Sequence, residues 1–237
     1  MVFWQKKNAK AKPSLQKITS GALSSKVDVG ALAPPAADYL AGITSLQAAL
    51  VTMLAASAQD AWSTQDADAL MSASGRAMDR YRAFHAVLFD YVDDVPVALA
   101  PARESLSAHM SRFGTQRWHE QVTTCYVVTG FTRDFWHLLA DGLPATLRTK
   151  CQQILSDQGD EEQMAGVLAR LLESDDRYRS TVSLWSRRLV GDVMLLCRGA
   201  LSARARASTD TEVPLEPVFT EVVAHHTRRL DRVGLTA

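Results

Sequence analysis

Two aspartates near the middle of the chain have the spacing of half a metal site. Asp157 and Asp160 lie in a polar stretch, residues 155–164, of a segment that is otherwise predicted to be apolar and helical. Carboxylates three residues apart lie on one face of a helix. In metal-binding helix bundles, a carboxylate-x-x-His pair that faces inward builds half of a dinuclear centre. Because Asp160 stands where such a pair has its histidine, the pattern predicts a metal site that has lost part of its ligands.

Other residues with chemical potential are isolated along the chain. Asp134 and His137 have the same spacing, but a single pair of this kind often arises by chance, so we predict a structural role. His225 and His226, next to Arg228, fit either a basic, pH-sensitive edge or an ordinary solvated helix face. The sequence contains no glycine-rich phosphate loop and no nucleophile motif.

Two adjacent arginines offer a way to neutralise the aspartates without metal. Arg187 and Arg188 either extend into solvent from a partly buried helix, or one of them pairs with Asp157 or Asp160 as a fixed charge. The first alternative is the prediction, because a buried ion pair carries a heavy desolvation penalty.

The composition is that of a folded globular protein without a dominant charge. Of the 237 residues, 47% are hydrophobic and 22% are charged, and the formal net charge is zero, which excludes a global field that attracts nucleic acid or membrane. Three widely spaced cysteines, Cys125, Cys151 and Cys197, favour buried free thiols in a reducing compartment. No apolar run approaches the length of a membrane-spanning helix, and the first residues lack the order of a signal peptide. We therefore predict a cytoplasmic protein.

The periodicity of the apolar residues predicts an all-α protein. Apolar residues recur every three or four positions in each long segment, and no convincing strand is present. The short connections indicate an antiparallel bundle of four long helices with additional helices. The predicted segments begin after Pro34–Pro35, at Ser63 or Thr64, at Pro101 (to Phe113), at about Thr115 (to Ala140), at Pro144 (to about Glu173), at Ser174, and after a polar loop over 208–217, the last ending near Gly234.

Several stretches of the chain resemble one family. Residues 126–131 and 134–136, together with 155–159, 185–192 and 226–235, are similar in sequence and in order to actinobacterial ferritin-like proteins. These proteins are relatives of the diiron tRNA hydroxylase that acts on 2-methylthio-isopentenyladenosine. The resemblance covers about residues 36–237 and is clearest after residue 118. It implies a ferritin-like four-helix bundle and, in relatives that keep their ligands, a diiron centre.

The resemblance also places the ligand positions of the family on this chain. The six positions are Ser45, Met78, Tyr81, Thr129, Asp157 and Asp160. Only the two aspartates among them could ligate a metal, and none is a histidine. Two irons need several carboxylates and usually two imidazoles, so the resemblance implies a degenerate site that holds no metal and no cofactor. We expect Asp157 to face the interior, held by the hydroxyls of Tyr81, Thr129 or Ser45.

Three hypotheses of function follow. The first is a non-catalytic ferritin-like bundle that has lost its diiron site and works as a binding, scaffold or regulatory protein. The alternative is a diiron hydroxylase or oxygenase with an unusual ligand set, acting on tRNA or another substrate. The third is a dimerising structural protein. A protein partner or a homodimer is expected under the first and third hypotheses.

The first 33 residues are predicted to be a flexible basic tail, and residues 34–237 the bundle. Six lysines precede the first acidic residue, Asp28, without a helical period. An apolar start followed by lysines fits an arm that contacts membrane or nucleic acid, although a solvated terminus has the same composition. Removing residues 1–33 should therefore leave the helicity and the melting temperature nearly unchanged, as circular dichroism would measure. A much lower melting temperature would place the domain boundary earlier.

Overall fold

The structure consists of helices joined by short turns. The computed structural model describes residues 32–115, 117–201 and 216–235, and these residues contain no strand. The all-α class predicted from the sequence is confirmed. The helices are α1 (Ala36–Gln59), α2 (Thr64–Phe89), α3 (Val95–Met110), α4 (Trp118–Leu139), α5 (Ala145–Leu155), α6 (Gly159–Ser174), α7 (Arg177–Gly199) and α8 (Glu216–Arg232).

Four of these helices form a closed bundle. α1 packs along α2, α2 against α6, α6 against α4, and α4 back against α1. α3, α7 and α8 cover the outside, with α7 and α8 lying against α4. α4 is consequently enclosed on most of its surface, and every residue from Val122 to Arg133 is buried. The bundle thus brings residues of α1, α2, α4 and α6 to one interior.

The helix starts follow from capping side chains. The Ser63 hydroxyl accepts a hydrogen bond from the Asp66 backbone N–H at 3.1 Å, which confirms Ser63 as one of the two predicted caps of α2. Asp94 caps α3 in the same way through Val97. The predicted start of this helix at Pro101 is wrong, because α3 begins at Val95 and contains Pro101. A proline in the first turn removes no intrahelical hydrogen bond, so Pro96 belongs to the start of α3.

The segment predicted as one helix from Pro144 to Glu173 is two helices. α5 ends at Leu155 and α6 begins at Gly159, with Asp157 in the turn between them. The Asp157 carboxylate accepts a hydrogen bond from the Gly159 backbone N–H at 2.9 Å. Short polar side chains compete with the helical hydrogen bonds in this way. The polar stretch that looked like the middle of a helix is therefore a helix end and a new start.

α1 has the length and apolar composition of a membrane-spanning helix, which differs from the expectation that no apolar run approaches that length. Among the described helices it alone is long and apolar enough to span a membrane by length and composition, with a mean hydropathy of 1.5. Here it packs against α2, α3 and α4, and over half of its most apolar window is buried. The central helix of a globular protein meets the same criteria, so its apolar character is explained by its position.

The buried core extends slightly beyond the predicted domain boundary. Leu32 is completely buried, although the tail was predicted to run to residue 33. Removing residues 1–33 therefore also removes a core residue, and only a deletion that ends before Leu32 should leave the melting temperature unchanged. The three cysteines are free and buried, as predicted. Burial raises the pKa of the Cys125 and Cys151 thiols to about 12 and that of Cys197 further, so all three are protonated at neutral pH.

The burial of Leu32 leads to a test of the boundary. Leu32→Ala should lower the free energy of unfolding by about 2–5 kcal/mol, because it opens a cavity in a packed core. The matched control is Leu184→Ala, whose leucine is 65% exposed, and it should change the stability by less than about 0.5 kcal/mol. Chemical denaturation measures both values. Equal, small effects would show that Leu32 does not belong to the core.

Candidate functional site: a buried arginine–carboxylate network

The interior of the bundle contains two adjacent carboxylates at the start of α6. Asp160 is completely buried and Glu161 is 4% exposed. Both lie in the first turn of the helix, where the unpaired backbone N–H groups favour negative charge. One oxygen of Asp160 accepts a hydrogen bond from the Glu161 backbone N–H at 2.9 Å. Away from water, two such carboxylates need partners of opposite charge.

Asp160 is neutralised by arginines from two other bundle helices. Arg80 of α2 donates from Nη2 to Oδ2 at 2.5 Å, and Arg133 of α4 donates from Nη1 to Oδ1 at 3.2 Å. Arg80 also donates from Nε to the Gln47 side-chain oxygen of α1 at 3.0 Å. Asp160 and its partners therefore connect all four helices of the bundle.

Glu161 is neutralised by three arginines, two of them from α8. Its Oε2 accepts hydrogen bonds from Arg133 and, at 2.9 Å, from Arg229 Nε, while Oε1 accepts from Arg232 at 2.5 Å. Arg229 lies against Gly130, where a β-carbon would overlap with the guanidinium group. Glycine at this position of α4 therefore makes room for the arginine.

The network ends in a third carboxylate near the surface of α4. Arg229 donates from Nη2 to Asp134 at 2.5 Å, and His225 Nδ1 lies 3.7 Å from the same carboxylate. The Tyr126 hydroxyl donates to the Arg229 backbone oxygen at 3.0 Å, which fixes α8 on α4. We call the interacting side chains the arginine–carboxylate network. Its members are Gln47, Arg80, Arg133, Asp134, Asp160, Glu161, Arg229 and Arg232.

The charges of the network balance in its buried part. Three buried guanidinium groups, those of Arg80, Arg133 and Arg229, face the three carboxylates. Burial alone would raise the pKa of Glu161, but the charges of Arg229 and Arg133 outweigh it and hold that pKa below its usual value. Burial likewise opposes the charged form of Arg229, and Asp134 with Glu161 raises its pKa nonetheless. Both effects favour the charged forms of Glu161 and Arg229.

The structure buries three of the six predicted site residues and leaves the other three partly or largely exposed. Ser45, Thr129 and Asp160 are buried, whereas Met78 and Tyr81 are only partly buried. The Tyr81 ring packs against His85 on the same helix. The inward positions of α2 are occupied by Ala77 and Arg80, each one residue earlier than the predicted positions.

Asp157 does not face the interior, so the prediction that hydroxyls of Tyr81, Thr129 or Ser45 hold it is wrong. Its side chain is 46% exposed and pairs with Arg76 at 2.8 Å. The hydrogen bond from the Gly159 backbone N–H is the main cause that lowers the pKa of Asp157. The hydroxyls of Ser45 and Thr129 have no hydrogen-bond partner among the described residues. Asp157 and Asp160 consequently do not form a half-site.

The residues that sequence reasoning missed carry a recognisable signal. Arg80 lies three residues after Ala77 and four before Phe84, on the buried stripe of α2. Arg229 lies three residues after His226 and seven after Val222, which are both buried on α8. A charged residue on an apolar stripe indicates a buried ion pair. An apolar stripe of α2 that is defined by large residues alone omits Ala73 and Ala77, and therefore does not show that Arg80 lies on it.

Other candidate residues have structural surroundings. Arg187 and Arg188 are exposed on α7, and Arg188 lies over the Trp185 ring at 5.0 Å. Asp160 pairs with Arg80 and Arg133, which are not the arginines named in the fixed-charge alternative. Asp134 belongs to the network, and His137 is exposed, so these two do not act as a pair.

The two histidines of α8 do not form a common basic edge. His225 is exposed, whereas His226 is 1% exposed and packs against the Phe131 ring. Neither ring nitrogen of His226 has a hydrogen-bond partner among the described residues. Burial, with a smaller effect of Arg229, lowers the pKa of His226 to about 4, so the ring is neutral at pH 7.

The residues at the bundle centre do not fit the diiron centre that the resemblance implies. All four carboxylate oxygens of Asp160 and Glu161 accept hydrogen bonds from arginine side chains. Within the three described ranges, no group of three or more His, Cys, Asp or Glu side chains is placed to hold a metal ion. A cation would have to displace guanidinium groups, and those of Arg80, Arg133 and Arg229 are themselves buried.

Removing one charge from the network should be costly, while removing the exposed aspartate should not. Asp160→Asn should lower the free energy of unfolding by about 3–5 kcal/mol, because it leaves Arg80 and Arg133 buried without full compensation. The matched control is Asp157→Asn, which breaks a surface pair and should cost at most about 1 kcal/mol. Urea denaturation at pH 7 measures both. If the two variants were equally stable, the network would not hold the interior together.

His226 should make the stability depend on pH. Its pKa is near the ordinary value of 6.5 in the unfolded chain and about 4 in the folded one, so between pH 6.5 and pH 4 mainly the unfolded chain takes up the proton. The free energy of unfolding should therefore fall, by about 2 kcal/mol from pH 8 to pH 5. Glu161 loses its contribution only below its unfolded value of 4.5, outside this window. Denaturation at several pH values measures the fall.

A matched pair of variants assigns this pH dependence. His226→Phe should remove most of the fall in stability above pH 5, because phenylalanine does not titrate. His137→Phe makes the same change at an exposed position of α4 and should keep the fall. The assignment would be wrong if His226→Phe retained the pH dependence of the natural protein.

A comparison with known proteins supports the bundle fold and identifies a family for the chain. The family model described as "Ferritin-like domain, actinomycetes" matches residues 35–212 of the 237, which include α1 to α7. α8, which contributes Arg229 and Arg232, lies outside the matched range. No curated protein matches the chain. Together with the closed bundle of α1, α2, α4 and α6, the match shows that the chain belongs to the ferritin-like domain family of actinomycetes.

Proposed function

We propose that this protein is a non-catalytic ferritin-like bundle that works as a binding or scaffold protein. The observation that carries the proposal is the arginine–carboxylate network, in which guanidinium groups take the place of metal ions as the counter-charges of the interior carboxylates. In this proposal the bundle keeps the family fold and gives up the chemistry of a metal centre, which the fold alone does not supply.

The donor set argues against the alternative of a diiron hydroxylase acting on tRNA. Oxygen-activating diiron sites in bundles use four carboxylates and two histidines from four helices. Here α1 and α2 contribute Gln47 and Arg80 to the interior, and α4 contributes Arg133. An amide and two guanidinium groups stand on three of the four helices, and a guanidinium group has no lone pair to donate to a metal.

Electrostatics also disfavours a cation at this place. Two like unit charges 4 Å apart repel each other by about 4 kcal/mol at an effective dielectric constant of 20. A divalent ion beside both Arg80 and Arg133 would meet this repulsion several times over. The carboxylates cannot offset it fully, because their charge is already balanced by the buried arginines. Because its charges are balanced, the network acts as a fixed structural element. In this proposal, a binding partner contacts other surfaces of the bundle.

Metal analysis tests the proposal. Protein made in iron-supplemented medium should contain well under one iron per chain and show no absorbance of an oxo-bridged diiron centre. An iron-binding ferritin-like protein purified in parallel serves as the control for iron loading. Two tightly held irons per chain would contradict the proposal, and so would an oxidase activity that depends on iron.

A further inference from the structure

A cavity of about 400 Å³ lies between α1, α3, α4 and α7. Cavities that bind small molecules have volumes of about 300–1,000 Å³ and mainly apolar walls. The deep walls are buried and mostly apolar, formed by Leu46, Trp136, Leu196 and the protonated Cys197 thiol. The hydroxyl of Thr132, also in the wall, donates its hydrogen to the Val128 backbone oxygen at 2.6 Å. The interior of the cavity therefore suits an apolar molecule.

The cavity is separate from the arginine–carboxylate network. Leu46 and Thr132 line the cavity, whereas their chain neighbours Gln47 and Arg133 belong to the network. α1 and α4 thus separate the two. Gly42 leaves room for the Trp136 ring, because a β-carbon at this position would lie 2.7 Å from that ring. A ligand of the cavity would contact neither Asp160 nor Glu161.

One charged side chain lines the cavity among the described residues, and it is an acid. Asp38 is exposed, in the first turn of α1, and forms no ion pair with any described residue. An apolar interior with a carboxylate at its exposed side is complementary to a molecule that is apolar at one end and positively charged at the other.

We propose that this cavity binds a small apolar organic molecule that carries a protonated amino group. The apolar body lies between Leu46, Trp136 and Leu196, and the ammonium group lies at Asp38. The inference adds a ligand class to the proposed binding role. It does not depend on the state of the network, so metal analysis and ligand titration fail independently of each other.

Three probes with one apolar body and different head groups test the proposal. They are 4-phenylbutylamine, 4-phenylbutanol and 4-phenylbutyrate, titrated into the ¹⁵N-labelled full chain and followed by the amide signal of Gly42 and the indole signal of Trp136. The amine should bind about two- to fivefold more tightly than the alcohol, as expected for one exposed ion pair, and the carboxylate more weakly than both.

Matched variants assign the binding to the cavity and to Asp38. Asp38→Asn should reduce the affinity for the amine to that for the alcohol, whereas Asp68→Asn, at an exposed acid of α2, should not change it. Ala102→Leu should fill part of the cavity and weaken all three probes by about tenfold or more. Ala100→Leu, on the exposed side of α3, is its control. If Ala102→Leu does not fold, Ser105→Leu makes a similar change at another lining position.

The possible outcomes separate clearly. Preference for the amine that is lost in Asp38→Asn, with binding lost in the filled variant, supports the proposal. Absence of saturable binding by the full chain would overturn it. Equal affinity for the three head groups, preference for the carboxylate, or binding unchanged by the filling leucine would overturn it as well.

Discussion

The neutralisation of two buried carboxylates is the constraint on which this bundle depends. Asp160 and Glu161 begin α6 inside the protein, where an unpaired charge would cost several kcal/mol. Arginines from α2, α4 and α8 converge on this turn and fix the position of α6 relative to all of them. The helical path is interrupted between α5 and α6, where the Asp157 carboxylate accepts a hydrogen bond from the Gly159 backbone N–H. This interruption places the two carboxylates at the start of a helix.

Under the proposed function, the same constraint distinguishes the protein from a metal-binding bundle. A metal ion would neutralise the carboxylates and keep coordination positions for oxygen or substrate, whereas a guanidinium group neutralises them and leaves none. Replacing buried ion pairs by apolar residues is often neutral or stabilising in proteins, so the network is not explained by net stability alone. Its directional hydrogen bonds favour one arrangement of the helices, including the seating of α8 against Tyr126 and Gly130.

Much of the fold could be predicted from the sequence, because it follows from local signals. The apolar period of α1 and the Ser63 cap of α2 are examples. The site could be predicted only in part. The sequence indicates Asp160 but not its arginine partners. A buried arginine such as Arg80 can be told from a surface arginine only when small residues such as Ala77 are counted as part of the buried face of the helix. The exposure of Asp157 depends on a turn that competes with a strong helical period.

The network and the cavity place two different properties on opposite sides of α1 and α4. The central proposal is that the network takes the place of a diiron centre in the interior of the bundle. Diffraction from crystals grown with excess iron, measured at the iron absorption edge, tests it most directly. The account predicts no anomalous peak within the bundle and electron density for Arg80 and Arg133 on Asp160. An iron peak between Asp160 and Glu161, with the arginines turned away, would contradict it.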